Sequence, residues 1–181
     1  FFKQTTAYEI RLSLVGSEMC IRDSLGTVDV SFFLEVIEQL NWNTYTERQE
    51  KRFGMQDTYT IPLVWDINFK SKKRWGDYYR LEEELLSIEK ALDKGKICSA
   101  VFTKLPAGKQ INLHRDKGEF FDETIRVHIP LVTNENCIFR VGRETRVMRV
   151  GEVFEISNQG KVHGTENKGD TDRIHLMLDL K

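Results

Sequence analysis

Residues 124–132, TIRVHIPLV, and 172–180, DRIHLMLDL, decide how this chain folds. In the first, Ile125, Val127, Ile129 and Leu131 alternate with Arg126 and His128; in the second, Ile174, Leu176 and Leu178 alternate with Arg173 and His175. A period of two places successive side chains on opposite faces of an extended chain, so both segments read as strands with one apolar face. Each strand carries an Arg-x-His pair on its other face. A single strand arginine is ordinarily solvent-exposed, because a buried guanidinium needs an anion beside it. Two such pairs, one starting twelve residues after His114 and the other ten after His163, shift the reading toward an anion held inside a small barrel.

Outward from these segments, everything after Gly95 consists of short strands separated by turn residues. The expected strands are Ile97 to Leu105, Gln110 to Arg115, Thr124 to Val132, Cys137 to Val141, Thr145 to Val150, Val153 to Ile156, Lys161 to Gly164 and Arg173 to Leu180. Turns are expected at Pro106-Ala107-Gly108, Asn134-Glu135-Asn136 and Asn167 to Asp170. This pattern suits a jelly roll, the cupin-like double-stranded β-helix, rather than a series of βαβ units.

Upstream, residues 29–95 read as helical support for that core. Asp29 or Ser31 can cap a helix carrying Phe32, Phe33, Val36, Ile37 and Leu40 at a period near 3.6. A second helix is expected from about Asp77, with Leu81, Leu85, Ile88 and Leu92 on one stripe and Gly95 ending it. Between them Tyr59 to Asn68 reads as a strand, and Pro62 places it at an edge. The fold class is therefore mainly β with flanking N-terminal helices, in one domain over residues 25–181 whose jelly-roll core is 97–181. Residues 8–24, YEIRLSLVGSEMCIRDS, resemble a translated sequencing adapter, and residues 1–24 are read as non-native. The alternative is a native strand over Ile10 to Val15.

Composition narrows the function classes. Lys and Arg number 27 against 28 Asp and Glu, a net charge of -1, so there is no basic footprint for nucleic acid or an anionic membrane surface. No stretch approaches the roughly 18 apolar residues of a membrane span. Cys20, Cys98 and Cys137 are odd in number and lack CxxC spacing, which fits neither a disulfide framework nor a structural zinc site. The expectation is a cytoplasmic protein acting on a small molecule or a peptide.

His114-Arg115-Asp116 puts an imidazole and a carboxylate two positions apart at a strand end, where both reach one side. Taken alone, a His-x-Asp triplet is most often a surface pair. His163 supplies a third ligand if its strand lies beside the first. Two imidazoles and one carboxylate leave coordination positions open, as non-haem iron(II) requires when it must also take a cosubstrate and dioxygen.

The segments LPAGKQINLHRD (105–116), RVHIPLVTN (126–134), GEVFEISNQGKVHGTENKG (151–169) and DRIHLMLD (172–179) together resemble the aspartyl/asparaginyl β-hydroxylase family of iron(II)- and 2-oxoglutarate-dependent dioxygenases. The resemblance implies that His114, Asp116 and His163 hold iron(II), and that Arg173 pairs with the distal carboxylate of 2-oxoglutarate. Arg126, His128 and Thr103 match further cosubstrate-contacting positions. Asn167 matches the family pattern and is expected to shape the turn behind His163; His175 lies outside the matched set and reads as a supporting histidine. Retention of Asp116 resembles the microbial branch, since the animal member that names the family has glycine there. The implied reaction couples oxidative decarboxylation of 2-oxoglutarate by dioxygen to hydroxylation of an unactivated C–H bond. Its substrate is expected to be an amino-acid side chain, in a peptide or as a free amino acid. A cupin-like barrel that binds a metal and a small acid without oxidising anything explains the histidines equally well, but not the two arginines.

Overall fold

The computed structural model describes residues 24–43, 57–66, 72–156 and 160–181. Cys20 and nearly all of the segment 1–24 lie outside the described residues, as do positions 67 and 68 of the strand expected from Tyr59 to Asn68. Helix α1 (Ser31–Glu38) and strands β1 (Gly26–Thr27), β2 (Tyr59–Trp65) and β3 (Lys73–Arg74) come first. Helices α2 (Gly76–Arg80) and α3 (Glu82–Leu92) follow. The barrel strands are β4 (Ile97–Leu105), β5 (Gln110–His114), β6 (Ile125–Val132), β7 (Cys137–Val141), β8 (Glu144–Arg146), β9 (Glu152–Ile156), β10 (His163–Asn167) and β11 (Arg173–Leu180), with a one-turn helix α4 (Glu119–Asp122) before β6.

These strands form a seven-stranded sheet in the order β1-β9-β6-β11-β4-β2-β3 and a four-stranded sheet in the order β5-β10-β7-β8. All pairings are antiparallel. The expected jelly roll is the observed architecture. β11 lies between β6 and β4 and is buried along its whole length, so its two faces are committed to two different interiors.

One interior is apolar. Val127, Ile129 and Leu131 of β6, Ile174, Leu176 and Leu178 of β11, and Ala100 and Phe102 of β4 share a cluster with Phe33, Val36 and Ile37 of α1 and Leu85, Ile88 and Leu92 of α3. Phe33 meets Phe102 edge-on at 6.5 Å. Burying each of these large side chains contributes roughly 1.5–3 kcal/mol before the entropy of ordering it. The helices thus cover the outer face of the large sheet, and the alternate, polar residues of the same strands face the small sheet. A second, smaller cluster of Phe139, Val141, Met148, Phe154 and Ile156 fills the barrel between the sheets.

Several local expectations change. Asp29 accepts hydrogen bonds from Ser31 N and Oγ, but the cap position itself is Val30 and carries no side-chain cap. The expected second helix is two, because Leu81 leaves helical geometry at ψ 6° before Leu85 N, bonding to Leu81 O at 2.9 Å, restarts the spiral. Asp93, not Gly95, takes the left-handed cap. Gly95 lies instead against the backbone of Lys181, where an added Cβ would meet the Lys181 carbonyl carbon at 2.5 Å. Pro62 sits at a register shift on β2, and β3 covers only Val64 and Trp65, so the proline side of the strand is an edge as expected. β8 ends at Arg146 rather than running to position 150, and β10 starts rather than ends near His163.

Candidate metal centre

His163 opens β10 and pairs directly across the ladder with His114, the last residue of β5. Gly164, the next residue, lets the two strands approach closely: a Cβ there would stand 2.7 Å from Ile111 O. The imidazole centroids are consequently 4.3 Å apart. Asp116 follows in the loop after β5, with Oδ1 3.9 Å from His114 Nε2 and Oδ2 3.6 Å from His163 Nε2. One ligand atom from each of the three residues lies within 4.8 Å of the others.

The tautomers follow from the backbone. His114 Nδ1 is 2.8 Å from Asn112 O, and His163 Nδ1 is 3.1 Å from Lys161 O. A carbonyl oxygen only accepts, so both rings donate from Nδ1 and present an Nε2 lone pair toward Asp116. This is the state an imidazole needs to bind a metal, with its orientation fixed by the opposite nitrogen. Burial alone would raise the Asp116 pKa, but the net shift is downward, well below the usual carboxylate range, with the Arg126 guanidinium 2.7 Å away favouring the charged form. The carboxylate is therefore ionised when a cation arrives. His114 is the most exposed of the three, which leaves one side of the centre open to solvent.

The face of β6 and β11 turned toward this centre carries both arginines. Arg126 is buried and donates from Nη1 to Asp116 Oδ2 at 2.7 Å, and from Nε and Nη2 to Asp179 Oδ1 and Oδ2 at 2.7 and 3.1 Å. Arg173, only 3% exposed, lines the same pocket and has no salt-bridged carboxylate among the described residues. Burial lowers its pKa to about 10, still high enough to keep it charged near neutrality. Its Nη2 donates to His175 Nδ1 at 2.9 Å, so the His175 proton is on Nε2, a buried atom with no hydrogen-bond partner among the described residues. His128 Nδ1 lies 3.4 Å from the same His175 nitrogen. The single lone pair of that nitrogen is already taken by Arg173, so the longer contact with His128 is at most a weak shared one. Thr103 also lines the pocket, and its hydroxyl is buried without a hydrogen-bond partner among the described residues.

The family model for aspartyl/asparaginyl beta-hydroxylases matches residues 38–181. The chain belongs to that family. No curated protein sequence matches it. An oxidoreductase of the 2OG-Fe(II) oxygenase family from Burkholderia pseudomallei superposes with a TM-score of 0.60 at 15% identity, over 81% of this chain and 76% of that one. The cupin domain of Cnp3 from Schizosaccharomyces pombe gives 0.45 at 13% identity, over 73% and 70% of the two chains. A predicted oxalate decarboxylase from Thermotoga maritima gives 0.37 at 24% identity, over 51% and 72%.

In this family member, Asn167 is fully buried behind His163. Its Nδ2 donates to Leu105 O, Pro106 O and Thr171 O, and its Oδ1 accepts from Asn134 Nδ2 and Gly169 N. One amide thereby ties the end of β10 to the turns flanking β4 and β11. Thr103, Arg126, His128 and Arg173 all line one pocket with His114, Asp116 and His163. Asp179 was not among the residues singled out from sequence. The signal was nonetheless available: it continues the alternation Arg173, His175, Met177 as the one acidic residue in an otherwise apolar strand end.

Proposed function

We propose that the protein is an iron(II)- and 2-oxoglutarate-dependent dioxygenase that hydroxylates an amino-acid side chain, in a peptide or as a free amino acid. The observation that carries this reading is Arg173: a buried guanidinium with no carboxylate partner among the described residues, in the pocket that also holds two imidazoles and an ionised carboxylate. A barrel needing only a metal has no use for that charge, and an uncompensated buried cation is costly.

His114, Asp116 and His163 would hold iron(II), an open set of two nitrogens and one carboxylate that suits a metal needing exchangeable positions. Bound there with 2-oxoglutarate, the iron would supply the dioxygen chemistry of hydroxylation. The chain's own contribution is placement. Arg173 would grip the distal carboxylate through charge-assisted hydrogen bonds, and the Thr103 hydroxyl, without a partner among the described residues, would donate to the same group. Leu105, Ile111, Phe139, Ile156 and Met177 line the pocket and exclude water, which strengthens that ion pair and limits unproductive oxidation. The substrate would enter on the His114 side, where the centre is exposed.

The test is succinate formation by the iron-loaded protein given 2-oxoglutarate, oxygen and a panel of free amino acids and short peptides. Succinate that rises with one of these substrates supports the reading. Metal binding with no 2-oxoglutarate consumption under any condition would favour the non-oxidative barrel instead.

A further inference from the structure

We propose that Asp179 is a positioning residue for the metal carboxylate, acting through Arg126. The inference rests on the metal assignment of His114, Asp116 and His163. Asp179 stands opposite Arg126 in the β11–β6 register and is 3% exposed. Its two oxygens take Nε and Nη2 of the guanidinium in a fork, the geometry that fixes the plane of an arginine. The remaining nitrogen, Nη1, then points at Asp116 Oδ2 from one direction only. The backbone of Asp179 is itself held, since its carbonyl accepts from Cys98 Sγ at 3.1 Å.

Charge gives the arrangement a second effect. Arg126 alone beside Asp116 would place a full positive charge 2.7 Å from a ligand oxygen, where it competes with any incoming cation. With Asp179 on its other side, one guanidinium serves two carboxylates and the buried trio keeps a net negative charge. Asp116 is oriented without being neutralised. Partners of this kind, one step removed from the metal, fix ligand direction and basicity.

The experiment is a titration with Co(II), followed by its visible d–d absorption, on the wild type, Asp179→Asn, Asp116→Ala and the double variant, with the melting temperature of each recorded. Asp179→Asn is expected to weaken Co(II) binding by about 10- to 100-fold, the range typical of losing an outer partner. In the Asp116→Ala background the same substitution is expected to cost much less, because its positioning effect passes through Asp116 and only the uncompensated charge of Arg126 is left. An Asp179→Asn variant that binds like wild type, or one that loses the same factor in both backgrounds, overturns the proposal while leaving the metal site standing. If wild type itself takes up no Co(II), the metal reading falls and this inference with it. Should Asp179→Asn not fold, Arg126→Lys, which keeps the charge but cannot span both carboxylates, is expected to show the same dependence on Asp116.

Discussion

Arg173 Nη2 lies 2.9 Å from His175 Nδ1, and this neutral imidazole is the partner the structure gives a guanidinium buried at the end of the central strand. A neutral acceptor orients the charge without cancelling it. Arg173→Ala is therefore expected to weaken 2-oxoglutarate binding by about 2–5 kcal/mol, the range for removing one partner of a buried charged pair. Arg173→Lys keeps the charge and loses the fork, so its loss is expected to be smaller. The apparent 2-oxoglutarate affinity at saturating iron measures both. Equal affinity in wild type and Arg173→Ala would return Arg173 to a purely structural role.

The metal ligands are expected to be unequal. His114→Ala and His163→Ala each remove a lone pair already aimed at the centre, and both are expected to lose more than the ~10- to 100-fold associated with outer partners. Asp116→Ala is expected to retain weaker binding through the two imidazoles. Anaerobic Fe(II) titration ranks the three; unchanged affinity in both histidine variants would exclude the site.

Stability should fall on the acid side of neutrality. Burial, and then the charge of Arg173, keep the pKa of His128 and of His175 well below 6.5. As pH drops through about 6.5 the unfolded chain takes up protons at these positions and the folded chain does not, so the unfolded state is favoured. Two such groups give a slope of up to about 2.7 kcal/mol per pH unit, continuing down to their folded pKa values. Urea unfolding at pH 7.5, 6.5 and 5.5 should show the loss, and His175→Gln should remove about half of the slope. A slope the same in His175→Gln as in wild type would contradict the neutral state assigned to His175.

Gly164→Ala tests the close approach of β10 to β5. The added methyl would meet Ile111 O at 2.7 Å, a backbone atom that yields only if the strands separate. The expected cost is about 1–3 kcal/mol, as for overpacking elsewhere. Because His163 and His114 face each other across that pair, Co(II) affinity should fall with the melting temperature. A variant as stable as wild type, with unchanged metal affinity, would show the strands to be freer than their spacing indicates.

Much of the barrel was legible because alternation is a local signal. β4, β7 and β11 have the boundaries expected from sequence, each being a run of β-branched, aromatic or aliphatic residues between turns. β10 was misplaced because His163-Gly-Thr-Glu-Asn carries little strand propensity; it is a strand because β5 and β7 pair with it on both sides. The two-residue strands β1 and β3 and the single turn α4 are too short to produce a period. The polar faces of β6 and β11 were read from spacing, and what spacing left open was which side is water. The helices decide that, by covering the apolar side and turning the arginines inward. Asp179 is a related case: alternation marks the face it lies on, but its partner Arg126 is 53 residues away and only the fold brings the two together.

The pairing of β4 with β11 joins Ile97 to Leu180, and the centre joins His114 to His163. Contacts between such distant positions must close long loops before any of them is rewarded, which slows folding. During synthesis, then, β4 leaves the ribosome with β2 already made on one side but with its central neighbour β11 still unmade on the other. The nascent chain can collect its histidines only after β10 emerges, and it can enclose them only after β11 does. Metal capture in this topology therefore cannot precede the synthesis of β10, and until β11 arrives the free edge of β4 is open to misassociation.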